Sequence, residues 1–585
     1  MIFYLSMAIL FTIYALDLLL LVITAAIARS AEVAALVRKR SSERRSKKAQ
    51  KALQEKAAAA AAGAEGGSGA GAVVAAAGTT TAAATAPAVA GGAPRFGAAA
   101  AAPVVNSELR ISPSGSSGYS STVADSSLDD ESDEDGVPRA EIITTAPAGT
   151  AITLPDDPWG GGKAPKVLIQ LPMYNEEAHA AAIINACCRI KYPRDRLLIQ
   201  VLDDSTKEAV RQKVDAAAAL CIENGQPVQV MRRDNRSGFK AGAMVEGLNR
   251  VEGLGYEYCA IFDADFDPPA DFLEETIPPM HRDKTLAYVQ TRWAFTNGNE
   301  SFLTWAQKVN LSFHFDVEQR ARSFLGWFFN FNGTAGVWRI QSIHDAGGWQ
   351  SDTVVEDMDL SLRCYLKGWN AIYLPHVDNN NELPCTLSSY KTQQFRWLSG
   401  PMQILVKSFK NIIHAKNISF ARRANAFWFF LRYMLFAAIT VGVLAVPPVA
   451  LWVEVWAWDW PHIYFIVAIN FALAVFLYVT PFSIAYLFFS VAVGYMKLWA
   501  MISGLIGLEK SKTWKVTQKY GAKQASVGLL QRMTAHKPYA LEACLALYYG
   551  GLAAAAGVYA SWIMLGYCAL MCLVFLFISF GDAYM

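Results

Sequence analysis

Apolar runs at both ends of the chain limit what it can fold into more than any other feature. Ile2 to Ala28 forms a run about as long as a bilayer demands. Asp17 is the one charged residue inside it, and it is expected to pair with another helix. No small-residue cleavage site closes the run, so it reads as an anchor rather than a removed leader. Towards the other end, Ala426 to Trp452, His462 to about Ser490, Leu541 to about Tyr559 and Trp562 to Phe580 repeat the pattern. Backbone inside a bilayer has to bond to itself, which makes such runs helices and predicts about five spans. Arg29, Arg38, Lys39, Arg40, Arg44, Arg45, Lys47, Lys48 and Lys51 follow the first run, so that side faces the cytosol by the positive-inside rule. The loop holding Trp456, Trp458 and Trp460 carries no Lys or Arg and belongs on the far side. Ser490 to Leu508 reads as interfacial or re-entrant, and Glu509 to Lys537 as a basic cytosolic segment.

Between these ends lie two stretches of different character. Residues 57–160 are Ala/Gly/Thr-rich, then Ser-rich, then acidic from Asp129 to Asp135. They lack the large apolar side chains that offset chain entropy, which predicts a disordered tether. From Lys163, apolar runs at 167–171, 197–202, 228–231, 259–262 and 287–291 alternate with helical stretches. That alternation predicts an α/β domain built on a doubly wound, mostly parallel sheet. The expected layout is therefore a transmembrane anchor (1–28), a basic and then low-complexity tether (29–160), the α/β domain in the cytosol (161–424) and a membrane region (425–585). A formal net charge of +2 argues neither for nor against nucleic acid, and no RNA- or DNA-binding signature occurs, so no nucleic-acid partner is expected. Nine cysteines without C-x-x-C or zinc spacing fit a reduced compartment.

Open α/β sheets bind ligands at the carboxyl ends of their strands. The run Cys259 to Phe262 ends in Asp263-Ala264-Asp265. Two carboxylates one residue apart can hold Mg²⁺ or Mn²⁺, which in turn can clamp a diphosphate.

Six segments in order resemble the processive, inverting family 2 glycosyltransferases, most of all the cellulose-synthase-like A and C type. They are Gln170-Leu171-Pro172-Met173-Tyr174-Asn175-Glu176, Leu202-Asp203-Asp204-Ser205-Thr206, Phe262-Asp263-Ala264-Asp265-Phe266, Phe331 to Arg339, Val355-Glu356-Asp357-Met358-Asp359 and Gln393-Gln394-Phe395-Arg396-Trp397. The resemblance covers roughly residues 164–521. It implies a GT-A type domain, a nucleotide-sugar donor, a growing β-1,4-glycan as acceptor and a multi-pass Golgi membrane protein, with a homo-oligomer left open.

Each segment then has a job. Asp203 and Asp204 can accept hydrogen bonds from base and ribose, unless they only cap a helix with Ser205. Lys240, between Gly238 and Gly242, can reach the diphosphate while the glycines permit close backbone approach. Asp263 and Asp265 hold the metal. Inversion needs a carboxylate that takes the acceptor's proton; the resemblance assigns this to Asp357, with Glu356 beside it. If helical, Gln393, Arg396 and Trp397 share one face. Gln393 and Arg396 then serve the donor, and Trp397 serves the acceptor with Gly333 and Thr334. Thr517 and Lys519, in Trp514 to Lys519, resemble a gating loop over the nucleotide.

The donor stays open between GDP-mannose (with GDP-glucose) for a mannan or glucomannan and UDP-glucose for a β-1,4-glucan. A lipid-directed transferase and an inactive membrane scaffold are the other readings. The sequons at Asn235, Asn299, Asn310, Asn332 and Asn417 are expected to stay bare on the cytosolic side.

Overall fold

The computed structural model describes residues 15–35, 162–452, 492–508, 538–558 and 562–581, with 9, 12, 13, 486, 489 and 490. The expected tether at 57–160, the gating residues Thr517 and Lys519 and most of the span at 462–490 lie outside them. Every described residue belongs to one unit of the chain, formed by residues 1–43 and 145–585.

Helix α1 (Ala15–Ala35) comes first. Then β1 (Lys166–Met173), α2 (Ala180–Cys188), β2 (Leu197–Asp203), α3 (Glu208–Glu223), β3 (Val228–Met231), α4 (Phe239–Asn249), β4 (Tyr256–Ile261), α5 (Phe272–Arg282) and β5 (Leu286–Phe295) alternate. Helix α6 (Phe302–Phe313), a π-helical turn (His314–Gln319) and α7 (Arg320–Phe324) lead to β6 (Gly336–Arg339), α8 (Ile340–Asp345), α9 (Glu356–Leu366) and β7 (Asn370–Asn381). Two long helices follow, α10 (Leu387–His414) and α11 (Phe420–Trp452).

The strands form one seven-stranded sheet in the order β3-β2-β1-β4-β6-β5-β7. All pairings are parallel except those of β6, which runs antiparallel to β4 and β5. Both faces are covered, which is why the inner strands read as unbroken apolar runs. Val167 and Ile169 pack with Ile183, Val214 and Ile277 on one face; Leu168 packs with Met244, Ile343 and Leu360 on the other. The buried amides of Gln170 and Gln200 bond each other, the Met244 carbonyl and the Gly247 carbonyl, which offsets much of the cost of burying them.

Strands β6 and β7 were not read from the sequence. The first is only Gly-Val-Trp-Arg. The second contains Pro375 and ends in three asparagines, and its pairing with β5 jumps from Leu374 to Asp378. Proline and an irregular register both weaken a strand's pattern.

Two described helices are long and apolar enough to cross a membrane, α1 and Ala540–Val558, against about five expected. The second packs against the helix Trp562–Ser579. Helix α1 continues past the expected end of the anchor to Ala35. Asp17 does pair with another helix: its carboxylate accepts from Trp428 Nε1 at 2.7 Å and lies 2.7 Å from Arg432 Nε, both on α11. The stretch read as interfacial or re-entrant holds the helix Gly494–Leu505.

Candidate active site

The antiparallel strand decides where the site forms. The registers of β1 with β2 and β4 align the carboxyl ends of all three. They deliver Tyr174, Asp203 and Asp263 to one edge. Because β6 runs the other way, the loop before it, Asn332 to Ala335, arrives at that same edge. The Ala335 amide donates to the Ile261 carbonyl at 2.8 Å, and the Asp263 amide donates to Thr334 Oγ1 at 2.8 Å. Gly333 (φ +79°) and Ala335 (φ +52°) both lie in the left-handed region. For alanine that conformation costs energy, and it persists only where neighbours enforce it.

Lys240 reaches the loop from the first turn of α4, which starts behind a left-handed Gly238. Its ammonium lies 2.5 Å from Asp263 Oδ1 and donates to the Gly333 carbonyl at 2.8 Å. Burial alone would lower its pKa, but the Asp263 and Glu356 charges outweigh that and leave it raised. At Gly242 a Cβ would run into the Ser237 carbonyl, so the glycine lets the chain before α4 pack back against its first turn.

Glu356 and Asp357 open α9, where the helix dipole favours acids. A Cβ on Gly333 would sit 3.1 Å from Asp357 Oδ2 and 3.7 Å from Lys240 Nζ, so loop, carboxylate and ammonium meet at one point. Burial and then the Glu356 charge raise the Asp357 carboxyl from the usual 3.8 to about 7, against the pull of backbone amides and Lys240. A base poised near neutral pH suits proton abstraction.

Helix α10 supplies Gln393, Arg396 and Trp397, as the i, i+3, i+4 spacing predicts. Burial depresses the Arg396 guanidinium, while Glu356, Asp263 and Asp357 act on it in the opposite sense, which puts it within electrostatic reach of all three acids. Gln393 is buried. The Trp397 ring lies 6.4 Å from that of Trp293. Gly400 lets α10 close onto Val355 at the start of α9, and Lys407 ties the two helices through Asp359 at 2.9 Å.

Asp203 and Asp204 do not stand free. Asp203, almost fully buried, accepts from the Ser205 amide at 3.0 Å and from Arg232 Nε at 2.9 Å. Asp204 takes a two-pronged contact from Arg233, with Nε at 2.9 Å from Oδ1. Neither caps α3, whose N-cap is Lys207. The two arginines follow β3 directly and were missed as site residues; their place after a strand end was the available signal. Arg236 stacks over the Tyr174 ring at 3.3 Å and was likewise missed.

Asp265 follows Asp263 in the same loop. No group of three or more His, Cys, Asp or Glu able to hold a metal occurs among the described residues. The pair is still a fit for Mg²⁺ or Mn²⁺. It offers hard oxygen ligands at the sheet edge, and Mg²⁺ in particular takes one or two carboxylates with the rest of its shell from water and phosphate.

Residues 169–340 match the model of glycosyl transferase family 2, and residues 258–506 that of glycosyl transferase family group 2. The chain is 39% identical over 373 residues to glucomannan 4-beta-mannosyltransferase 1 of Cyamopsis tetragonoloba, spanning 61% of this chain and 69% of that one. It is 38% identical over 381 residues to glucomannan 4-beta-mannosyltransferase 2 of Arabidopsis thaliana, spanning 64% and 71%. Among solved structures, a mannosyltransferase from Pyrobaculum calidifontis in complex with GDP-Man and Mn²⁺ aligns at 19% identity, covering 60% of this chain and 92% of that one, with a TM-score of 0.42.

Proposed function

The chain belongs to glycosyl transferase family 2, and on that premise we propose that it is a membrane-embedded, processive, inverting transferase that extends a β-1,4-linked mannan or glucomannan backbone from GDP-mannose and GDP-glucose. The observation that carries this is the meeting of Asp357, Lys240, Asp263 and the Gly333 loop at one sheet edge, with Arg396 within electrostatic reach of the same acids.

In the reaction, Asp357 takes the proton of the acceptor's terminal hydroxyl as that oxygen attacks the donor's anomeric carbon. The bond from that carbon to the diphosphate breaks on the opposite face, which inverts the configuration. The nucleoside diphosphate leaves with the electron pair, and Lys240 and Arg396 meet its charge. Asp263 and Asp265 would hold Mg²⁺ or Mn²⁺, which when bound neutralises part of the same charge. Asp203 and Asp204, backed by Arg232 and Arg233, face base and ribose; Gln393 assists the donor. Trp397 stacks on the acceptor sugar with Gly333 and Thr334 beneath it. Thr517 and Lys519 gate the nucleotide.

The polymer passes through the protein's own spans, about five in number. The basic residues after Ala28 support an α/β domain on the cytosolic side, of a membrane we read as that of the Golgi. A donor of the GDP-mannose type is favoured by the relatives, which are named as glucomannan 4-beta-mannosyltransferases.

The test is Asp357→Asn, which keeps shape and removes the base. Polymer synthesis should fall about 10²- to 10⁴-fold while nucleoside diphosphate binding, read by calorimetry, stays at the wild-type level. Near wild-type synthesis by this variant would remove the base from Asp357.

A further inference from the structure

The loop facing Asp357 is held from behind by the π-helical turn at 314–319. Such turns are rare and concentrate at functional sites. Gln319, fully buried, donates through Nε2 to Asn332 Oδ1 at 3.0 Å and to the Asn330 carbonyl at 3.2 Å. Asn330 Nδ2 donates to the same Asn332 Oδ1 at 3.1 Å, and His314 Nε2 lies 3.2 Å from it. Among the described residues the amide of Asn332 is therefore gripped by its oxygen; its Nδ2 is buried and finds no partner among them. Its backbone N–H donates to Gln290 Oε1 at 2.9 Å. Next in sequence come the left-handed Gly333 and Thr334, which bond Lys240 and the Asp263 amide.

His314 is itself fixed. Its Nδ1 lies 3.1 Å from Glu318 Oε2; a carboxylate only accepts, so this nitrogen carries the proton, and the other, Nε2, accepts from Gln319 Nε2 at 3.1 Å. Glu318 in turn pairs with Arg432 of α11 and lies 3.3 Å from Nε of the fully buried Arg322. Arg432 pairs with Asp17 of α1. Two carboxylates and two guanidiniums balance within this chain. Buried ion pairs contribute little net stability against an apolar replacement, and fixing one arrangement is their best attested use.

We propose that His314 is a positioning residue for the transfer step: it extends the Asp17–Arg432–Glu318 ion chain through Gln319 to the Asn332 amide and so sets the Asn332–Gly333–Thr334 loop against Asp357. The membrane helix α1 thereby supports the geometry of the active site as well as anchoring the chain. This rests on the reading of Asp357 as the base.

The isosteres of histidine separate its two contacts. A Gln amide oxygen overlays Nε2 and keeps the contact to Gln319; an Asn amide nitrogen overlays Nδ1 and keeps only the contact to Glu318. In full-length protein reconstituted in lipid, His314→Leu and His314→Asn should lower kcat roughly ten- to a hundredfold, the scale of a slight misplacement of reacting groups. Donor KM and GDP affinity should move less than about threefold, and His314→Gln should recover most of kcat.

Asp17→Asn should lower kcat too, and combined with His314→Leu it should be no slower than the slower single variant, as expected for residues acting through one chain. Glu32→Gln breaks a different ion pair of α1, that of Glu32 with Arg320 of α7 at 2.5 Å, and should leave kcat unchanged. Wild-type kcat in His314→Leu, multiplicative losses in the double variant, or an equal loss in Glu32→Gln would overturn the proposal. Wild-type kcat in Asp357→Asn would instead overturn the reading beneath it.

Discussion

The pH profile of the reaction follows from the surroundings of Asp357. Burial, reinforced by Glu356, raises its carboxyl from 3.8 to about 7. Below that value the base is increasingly protonated, and the ionised fraction drops about tenfold per pH unit. Because kcat/KM reports groups of the free enzyme, it should fall about tenfold by roughly pH 6 and about a hundredfold by roughly pH 5. An aspartate titrating at its usual 3.8 would keep the profile nearly flat to about pH 5. Glu356→Gln removes the second cause and leaves burial, the first, in place. Its acid limb should therefore move to lower pH without reaching the ordinary aspartate position. Asp357→Asn should retain only a slow rate with no acid limb at all. The assay is initial-rate incorporation of labelled sugar in lipid nanodiscs across the pH range, with nucleotide binding followed in parallel to exclude acid unfolding. A flat wild-type profile down to about pH 5, or a limb unmoved by Glu356→Gln, would refute the argument from burial and charge.

Two further outcomes come from the same site. At Gly400, alanine should gain about 1 kcal/mol of helix propensity, but its Cβ would lie 2.7 Å from Val355 Cγ1 and closer still to Cγ2. Overpacking of this kind costs about 1–3 kcal/mol, so Gly400→Ala should lower the melting temperature and reduce kcat by shifting the start of α9; a stabilised, fully active variant would contradict the contact. Chelation with EDTA should abolish synthesis and Mg²⁺ or Mn²⁺ restore it, whereas Asp265→Ala should stay inactive at any metal concentration; full activity in chelator would remove the metal from the pair.

Much of the α/β domain was legible because its strands are apolar on both faces and end in recognisable chemistry. The runs at Val167, Leu197, Val228 and Cys259 each became a strand of one mostly parallel sheet. The places of Asp263 and Asp357 were legible because each stands at a strand or helix end. What escaped depends on pairing across the chain. Strand β6 is four residues long and is defined by its antiparallel neighbours rather than by a pattern of its own. Arg233 meets Asp204, 29 residues away, and His314 lies beside Asn332, from a turn whose π geometry breaks helical periodicity. Asp17 announced itself as an intramembrane charge, but its partners, Trp428 and Arg432, lie some 400 residues on (|i−j| = 411 for Trp428). No local rule reaches that far.

The most direct test of the central claim is made with the purified full-length protein in lipid, supplied separately with labelled GDP-mannose, GDP-glucose and UDP-glucose. The account predicts a polymer from GDP-mannose that a β-1,4-mannanase degrades, absent in Asp357→Asn. Product from UDP-glucose alone that only a β-1,4-glucanase degrades would move the donor assignment to the glucan type. Label confined to lipid, or no product from any of the three, would contradict the polymerising transferase itself.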